Sequence, residues 1–441
     1  MIGISIAEAK NRAGCKVTTR GFVHTIRDQK DMLFIIIRDR TGYLQITINK
    51  RDKDKLSESI LADIGRESVL SITGEMVKNP QVRLDEIELI AEKYELLSRA
   101  GELLPIDPWA KNQAALDRRI DWRYLDLRSE KRRLIFEIQT EIEHEMREWW
   151  RKNNYIEIHS PKLLGAPSES GSELFELKYF DETAYLAQSP QFYKQMAMAA
   201  GFERVFEIGP VFRANPSFTS RHDTEFTSID MEISWISSHH DLMKIEEEWI
   251  RHIFVSLQEK FSQKIEKYYN TSVEVPTTPF PKITMEQAQE VLREVGHIFP
   301  ENTKEGDIDP SGEKKLYSYI KQEYNHDFVF VYDYPYHLRP FYHMKHIDKP
   351  HLTKSYDLLY RGLEVTTGAQ REHRYQILVE QANEKGVAEK SIQFYLDFFK
   401  YGMPPHGGYG FGLTRLIMSI LGLPNVREVT YLYRGPNRLK P

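Results

Sequence analysis

The sequence predicts an α+β protein in which a small N-terminal β-barrel precedes a larger domain of helices and strands. Two observations predict this fold class. Residues 16–97 contain five short strand-like segments separated by turn or polar residues. From Lys131 onward the period of the apolar residues becomes helical, and a mixture of helical and strand-like segments follows. A chain of 441 residues is also too long for one ordinary core, so two or three domains are expected.

The composition excludes several classes of protein. Hydrophobic residues make up 41% and charged residues 28% of the chain, which is typical of a globular protein. No apolar run approaches the ~18 residues of a membrane span, and the N-terminus lacks the pattern of a signal peptide. Cys15 is the single cysteine, which excludes an internal disulfide and a thiolate zinc site. We therefore expect a cytoplasmic protein with no membrane partner. The net charge of −5 neither indicates nor excludes nucleic-acid binding, because the basic residues that contact a nucleic acid can lie on one face of a protein.

The N-terminal segments fit a small closed barrel. They read KVTTRGFVHTIRD, MLFIIIRDR, YLQITINK, SVLSITGEMVK and EIELIAEKYELL, and DRTG at 39–42 predicts a hairpin. Five such strands with one helical piece, DKDKLSESILADI at 52–64, are typical of a Greek-key barrel of the OB type over residues 1–100. A generic β-sandwich is the alternative that the pattern leaves open.

A hinge and a long helix are predicted next. Residues 101–130 contain two prolines and no sustained period, which is typical of a hinge. From Lys131 an apolar residue recurs every four positions on one face of a predicted helix. These residues are Leu134, Ile138, Ile142, Met146 and Trp150. The segment YIEIHSPKLL at 155–164 follows as a strand interrupted by Pro161.

Two further strands enclose FRANPSFTSRHDTEF at 212–226, where Arg213 and Arg221 bracket a loop. The second strand, FTSIDMEISWI at 226–236, alternates apolar with polar side chains. Its apolar face holds Ile229, Met231, Ile233 and Trp235, and its polar face holds Ser228, Asp230, Glu232 and Ser234. An acidic inner face is costly unless it meets water, cations or a ligand. The strand therefore predicts a binding site, with a solvated sheet face as the alternative.

Glycines precede an apolar helix near the C-terminus. Gly407, Gly408, Gly410 and Gly412 lead into a helix whose first turn carries Arg415. Backbone amides at a helix start, together with a guanidinium, suit a polyphosphate. Glycines before a helix more often serve packing, and neither the P-loop nor the Rossmann fingerprint is present. A helix over 240–262 and a helix-rich piece over 371–402 are expected between the two regions.

Together these features resemble the three motifs of class II aminoacyl-tRNA synthetases. The motifs are a long helix with a Pro-broken strand, a strand–loop–strand with F-R…R-H…E-F, and a final G-x-G-x-x-R. SESGSELFELKYFDETAYLAQSPQFYKQ, YRGLEVTTGAQREHRY and YGMPPHGGYGFGLTRL are similar to aspartyl-tRNA synthetases of the archaeal and eukaryotic branch, and the resemblance covers nearly the whole chain. It implies an anticodon-binding OB-fold over 1–100, a hinge over 101–130, and a catalytic domain over 131–441 with an antiparallel sheet flanked by helices. It also implies a homodimer built on the long helix, and ATP-dependent attachment of L-aspartate to tRNA through an aspartyl-adenylate.

The resemblance also implies the residues of the nucleotide site. Arg213 would hold the α-phosphate and the substrate carboxylate, while Arg221 and His222 take the outer phosphates. Arg415 would pair with the γ-phosphate, so Arg213 and Arg415 are the expected catalytic residues. The expected ATP site is completed by Asn215, Asp223, Glu364 and Gly412. Glu364 and Thr367 match the family's Mg²⁺ positions, Asp357 is a further candidate, and Phe218 belongs to a loop that the tRNA acceptor end can touch.

Lys194 and Arg371 match the family's ligands of the aspartate side chain. A side-chain carboxylate needs cations, whereas a carboxamide would leave two buried positive charges uncompensated. Glu169 and Gln191 match positions that receive the α-ammonium group, and Arg213 and Thr367 complete the set. The chain departs from the family at Asn215 and Thr414, where glutamates are usual, at Thr367, where serine is common, and at Tyr431 and Tyr433 near the C-terminus.

The choice of tRNA depends on the barrel, because the aspartate and asparagine anticodons differ at their third base. Strict members of the family tend to carry a tryptophan and a lysine at two barrel positions, and relaxed members a histidine and a proline. His24 stands at the first position and Pro80 near the second. The resemblance therefore predicts an enzyme that charges both tRNA(Asp) and tRNA(Asn). The alternatives are a strict aspartyl enzyme, an asparaginyl-type ligase or tRNA-independent asparagine synthetase on the same core, and a non-catalytic paralogue that binds tRNA.

Overall fold

The computed structural model describes residues 3–51, 64–101, 103–166, 173–216 and 219–441. The chain forms two compact units, Met1–Asp107 and Pro108–Pro441, each with its own core. Most of the hinge predicted over 101–130 therefore belongs to the second unit. The reason is Arg123, whose buried guanidinium donates to the carboxylate of Asp126 and to the carbonyl oxygens of Glu428 and Thr430.

The first unit is a closed five-stranded barrel, as the sequence predicted. It contains helix α1 (Ile6–Lys10) and strands β1 (Lys16–Asp28), β2 (Met32–Asp39), β3 (Gly42–Asn49), β4 (Val69–Lys78) and β5 (Ile87–Ser98). The strand order is β1-β2-β3-β5-β4, in which β3 and β5 are parallel and the other neighbours antiparallel. Alternate side chains fill the interior, including Val23, Ile35, Ile46, Ile72 and Leu89. The helical piece predicted at 52–64 lies outside the described residues, apart from Ile64.

The second unit combines two sheets with surrounding helices. Its strands are β6 (Ile156–Glu157), β7 (Leu163–Leu164), β8 (Glu176–Tyr179), β9 (Glu182–Leu186), β10 (Arg204–Phe212), β11 (Glu225–Ser234), β12 (Lys282–Thr284), β13 (Phe328–Tyr332), β14 (Ser355–Tyr360), β15 (Leu363–Gln370) and β16 (His406–Gly412). Its α-helices are α2 (Leu116–Asp121), α3 (Arg123–Asp126), α4 (Glu130–Lys152), α5 (Gln191–Ala199), α6 (His239–Tyr269), α7 (Met285–Glu294), α8 (Pro310–Tyr324), α9 (Tyr375–Glu384), α10 (Gln393–Lys400) and α11 (Leu413–Ile420). None of the helices in the described ranges is long and apolar enough to cross a membrane.

The large sheet has the strand order β12-β13-β14-β15-β16-β11-β10-β6. Neighbouring strands from β13 to β10 are antiparallel, whereas the edge strands β12 and β6 pair in parallel. The predicted antiparallel sheet is therefore mixed, because crossover segments and not hairpins supply its two edges. Strands β7, β9 and β8 form a separate three-stranded sheet.

The apolar stripe predicted from Lys131 onward lies on helix α4 and is buried within the chain itself. Its five residues are at most 2% exposed: Leu134, Ile138, Ile142, Met146 and Trp150. The Trp150 ring stacks on Phe206 of β10 at 4.5 Å and on Trp249 of α6 at 4.9 Å between ring centres. The stripe is thus a core element, and it gives no evidence for the predicted homodimer.

Candidate active site

The hairpin of β10 and β11 carries the loop with the two predicted arginines. Asp230 and Glu232 of β11 are buried, so its acidic face is not solvated. Trp235 was expected on the apolar face, but it is 67% exposed. The expectation fails because β11 ends at Ser234 and Trp235 takes a left-handed backbone conformation with φ of +67°. The other predicted residues of the apolar face are buried, namely Ile229, Met231 and Ile233.

A row of residues crosses the middle of the large sheet. Asp230 of β11 pairs with Gly410 of β16, Gly410 pairs with Thr367 of β15, and Thr367 pairs with Asp357 of β14. Residues paired across neighbouring strands point to the same face. Because Gly410 has no side chain, space remains between Asp230 and Thr367. Asp230, Gly410 and Thr367 line a cavity of about 920 Å³.

The glycines expected at a helix start lie in strand β16. Any side chain at Gly408 would collide with the Met231 carbonyl oxygen and with the carboxylate of Glu232. Gly408 therefore leaves room for the carboxylate of Glu232, its partner on the neighbouring strand β11. Gly412 is the N-cap of α11 and lines the cavity, and Arg415 lines it one turn later.

Lys194 and Arg371 are already paired with the acidic residues of β11. Lys194 Nζ lies 2.8 Å from Asp230 Oδ1 and 3.4 Å from Glu232 Oε2. Arg371 Nε donates to Glu232 Oε1 at 3.0 Å, and all four side chains are buried. Burial opposes ionisation of Glu232, but the charges of Arg371 and Lys194 outweigh it and lower its pKa. The expectation that a carboxamide ligand would leave these cations uncompensated is wrong, because the two carboxylates balance them.

Arg371 lines the cavity. Lys194 does not line it, but its ammonium group pairs with Asp230, which does. Arg371 Nη2 donates to the Gly408 carbonyl oxygen at 3.0 Å, and Nη1 lies 3.0 Å from His343 Nε2. Burial and the charge of Arg371 lower the pKa of His343 well below its usual range. The ring of His343 is therefore neutral, and its Nε2 can accept from Arg371.

Three predicted guanidiniums line the same cavity. Arg415 Nη1 donates to the carbonyl oxygen and to a carboxylate oxygen of Glu364, both at 3.1 Å. Arg221 Nη1 donates to the two carboxylate oxygens of Glu313 at 3.0 and 3.2 Å. Arg213 has no carboxylate partner among the residues that the structure describes. The three cations thus face two acids, and the excess of positive charge suits a polyanion.

Burial changes the protonation of several groups around these arginines. It raises the pKa of Glu313 and of Asp223 to about 7 in each case. Burial, followed by the charges of Arg415 and Arg221, lowers the pKa of His222 to about 4. His222 is therefore neutral at pH 7 in the ligand-free protein.

The predicted Mg²⁺ residues lie beside the arginines. Thr367 Oγ1 donates to Glu364 Oε1 at 3.3 Å. Asp357 accepts from Arg339 at 2.8 Å through Oδ2, while its buried Oδ1 has no hydrogen-bond partner in the described part of the chain. Mg²⁺ takes oxygen ligands and is usually held by one or two carboxylates together with substrate phosphates. These residues fit a Mg²⁺ ion bound with ATP.

The cavity brings most of the predicted site together. In addition to the residues above, it is lined by Gln191, Asn215, His222, Asp223 and the divergent Thr414. Glu169 and Phe218 lie outside the described residues. His24 and Pro80 belong to the barrel, which is the other compact unit.

His24 and Pro80 have distinct settings within the barrel. His24 lies at a bulge in the β1–β2 pairing, and its ring meets Tyr43 edge-on with 5.1 Å between ring centres. Burial and the charges of Arg38 and Arg66 lower the pKa of His24, so this imidazole is neutral at pH 7. Pro80 is exposed in a turn closed by a hydrogen bond from Val82 N–H to the Asn79 carbonyl oxygen.

Sequence reasoning did not find three residues of the cavity wall or its immediate support. Arg339 lies with its guanidinium 3.6 Å from the centre of the Tyr334 ring and pairs with Asp357. Glu313 on α8 pairs with Arg221, and His343 contacts Arg371. The available signal was the density of aromatic and basic residues in HLRPFYH at 337–343.

Known proteins share both parts of this chain. A family model described as tRNA synthetases class II (D, K and N) matches residues 115–434, and one described as an OB-fold nucleic acid binding domain matches residues 17–97. The chain is 41% identical over 437 residues to an aspartate–tRNA(Asp/Asn) ligase of Aeropyrum pernix, covering 99% of this chain and 98% of that protein. It is 42% identical over 428 residues to an aspartate–tRNA(Asp) ligase of Pyrococcus abyssi, covering 97% of both chains. The structure of asparaginyl-tRNA synthetase from Pyrococcus horikoshii, complexed with asparaginyl-adenylate, matches over 100% of both chains with a TM-score of 0.89 at 31% identity.

Proposed function

The chain belongs to the class II aminoacyl-tRNA synthetases of the aspartate, lysine and asparagine group, and from this premise we propose that it activates L-aspartate with ATP and transfers it to tRNA. The observation that carries the proposal is the course of β15 along the cavity. Glu364, with Arg415, stands near the start of β15, Thr367 lies midway, and Arg371 follows the end of the strand. Seven residues of extended strand span roughly 23 Å. The cavity can therefore hold an amino acid near Arg371 and phosphates near Arg415.

The proposed reaction has two steps and no covalent enzyme intermediate. The α-carboxylate of aspartate first attacks the α-phosphorus of ATP, and pyrophosphate leaves. Arg213 faces the α-phosphate as a cation without a carboxylate partner among the described residues, while Arg221 and Arg415 hold the outer phosphates. Catalysis is then positioning plus neutralisation of phosphate charge. Mg²⁺ held by Glu364 and Thr367 would add to that neutralisation. In the second step the 3′-terminal hydroxyl of tRNA takes the aspartyl group, and AMP leaves.

We infer that selection of aspartate over asparagine rests on Arg371, where one N–H of Nη1 has no partner among the described residues and the other N–H groups pair with Glu232, His343 and the Gly408 carbonyl oxygen. A carboxylate can only accept from this N–H, whereas a carboxamide must turn its oxygen, and not its amino group, toward it. The net neutrality of Lys194, Arg371, Asp230 and Glu232 means that geometry, not bare charge, makes this choice. The relatives named as aspartate–tRNA ligases are 41–42% identical to the chain, which supports aspartate.

We further propose that the enzyme charges both tRNA(Asp) and tRNA(Asn). Overall identity does not separate the two types, because the dual-specificity relative and the tRNA(Asp)-specific relative are about equally similar. The support comes from the barrel. Pro80 has no N–H to donate and, by the family resemblance, stands near the position where strict enzymes tend to carry lysine. His24 stands where those enzymes tend to carry tryptophan. The homodimer remains a proposal from the family resemblance alone.

Two assays test these proposals. ATP–pyrophosphate exchange should proceed with aspartate and be much weaker with asparagine. Equal or greater exchange with asparagine would reverse the assignment of the amino acid. Aminoacylation of purified transcripts at moderate salt should then give similar efficiencies for tRNA(Asp) and tRNA(Asn). An efficiency on tRNA(Asn) lower by about a hundredfold or more would show discrimination, since one base contact is worth roughly 1–3 kcal/mol.

A further inference from the structure

A cluster of two histidines and an aspartate lies outside the catalytic cavity. His239 is the first residue of α6, Asp333 directly follows β13, and His346 belongs to the loop before β14. Asp333 Oδ1 lies 2.8 Å from His346 Nε2 and 3.2 Å from His239 Nε2. One ligand atom from each residue lies within 4.8 Å of the other two. None of the three side chains lines the cavity of the active site.

Among the described residues, one ring nitrogen of His239 makes no aligned hydrogen bond. The side chain of His239 is 3% exposed, and within the described part of the chain its Nε2 has no aligned hydrogen-bond partner. Its Nδ1 lies 3.4 Å from the hydroxyl of Ser238. When Nδ1–H donates to that hydroxyl, the lone pair of Nε2 points at the carboxylate oxygen of Asp333. A cation between the two atoms removes this repulsion.

The donor set matches a particular class of cation. We propose that His239, Asp333 and His346 bind one zinc ion, or a first-row transition ion of the same ligand preference. Two imidazole nitrogens and a carboxylate oxygen are ordinary zinc ligands, and bonds of ~2.0–2.2 Å place neighbouring donors roughly 3.3 Å apart. The observed separations from Asp333 are close to this value. His346 and Asp333 keep about a fifth of their side-chain surface exposed, so an ion and a water ligand can enter from solvent.

The ion would join the two ends of one loop to helix α6. The loop between Asp333 and His346 carries Arg339, Phe341 and His343, which line the catalytic cavity. Asp333 itself has a φ of +61°, in the left-handed region that non-glycine residues rarely adopt. The ion would therefore fix the base of a loop that forms a wall of the active site.

Zinc binding to the full chain tests this inference. The protein is treated with a chelator, dialysed and titrated with Zn²⁺ in excess Mg²⁺, which occupies oxygen sites in the cavity. We expect one zinc per chain after gel filtration and a rise in Tm of about 2 °C or more. Asp333→Asn and His346→Asn should each weaken zinc binding by at least about tenfold. Asparagine tolerates the left-handed conformation at position 333, and circular dichroism verifies that both variants are folded.

Two control variants locate the ion. His337→Asn alters another histidine of the same loop, whose Nε2 contacts the Glu305 carbonyl oxygen, and should bind zinc as the wild type does. Glu364→Gln removes a carboxylate of the catalytic cavity and should also keep one zinc per chain. Absence of bound zinc at micromolar concentration, or binding that survives both Asp333→Asn and His346→Asn, would overturn the inference. These readouts do not depend on aminoacylation, so they stand apart from the proposed function.

Discussion

Replacing Lys194 by methionine removes one of four buried charges at nearly constant side-chain length. Lys194, Arg371, Asp230 and Glu232 sum to zero in the wild type and to one negative charge in the variant. Loss of one partner of a buried ion pair costs about 3–5 kcal/mol, because the other charge stays buried. We expect the free energy of unfolding to fall by about 3 kcal/mol. The negative pocket should also oppose the aspartate carboxylate and lower pyrophosphate exchange by at least about 30-fold.

The fluorescence of tryptophan makes the stability measurement specific. All six tryptophans lie in the second compact unit, so their emission during urea unfolding reports on that unit alone. Lys194→Met combined with Asp230→Asn restores a zero sum and should recover at least about 2 kcal/mol of unfolding free energy. Lys260→Met breaks a half-exposed ion pair with Glu141 and should change stability by less than about 1 kcal/mol. A loss below about 1 kcal/mol for Lys194→Met, or no recovery in the double variant, would refute the reasoning.

Three further predictions follow from the site and its surroundings. Arg213→Ala and Arg415→Ala should each lower kcat of adenylate formation by at least about 100-fold, because each guanidinium neutralises phosphate charge; near wild-type exchange with Mg²⁺ present would contradict the assignment. Burial raises the pKa of Glu246 from 4.5 to about 8, so its contribution to stability is complete below pH 4.5 and is lost as the pH rises toward 8. Glu246→Gln should therefore exceed the wild type in unfolding free energy by at least about 2 kcal/mol more at about pH 9 than at about pH 5; a gap independent of pH would exclude this titration. His24→Trp combined with Pro80→Lys should lower charging of tRNA(Asn) relative to tRNA(Asp) by at least about tenfold, and an unchanged ratio would show that these positions do not select the tRNA.

Local sequence patterns were sufficient to predict the barrel, the long helix and the buried face of β11. Each of these elements has apolar residues at a period of two or about four positions. The patterns failed where a strand ended early, as at Trp235, since the alternation continues one step beyond the last ladder hydrogen bond. Contacts between residues far apart in the sequence could not be predicted. Arg371 meets Glu232 from 139 positions away, and Arg221 meets Glu313 from 92 positions away. No spacing in the sequence encodes such pairs.

At the predicted amino-acid site, the energetic argument made from the sequence is wrong. The sequence pointed to Lys194 and Arg371 as cations and, separately, to an acidic face on β11. Their meeting could not be inferred, because it depends on the pairing of β16 with β11, in which Gly408 leaves room for the Glu232 side chain. The structure replaces an argument about unpaired charge with one about donor geometry.

Because the four charges are buried, adenylate synthesis and transfer to tRNA should differ in their dependence on ionic strength. Mobile ions cannot enter the space between Lys194, Arg371 and the two carboxylates, so added salt screens these pairs very little. Binding of tRNA instead depends on phosphate contacts with exposed cations and weakens steeply as salt rises. At saturating ATP, a salt titration should therefore lower aminoacylation more steeply than adenylate synthesis. Ionic strength then becomes a simple control for isolating the first half-reaction in the intact enzyme.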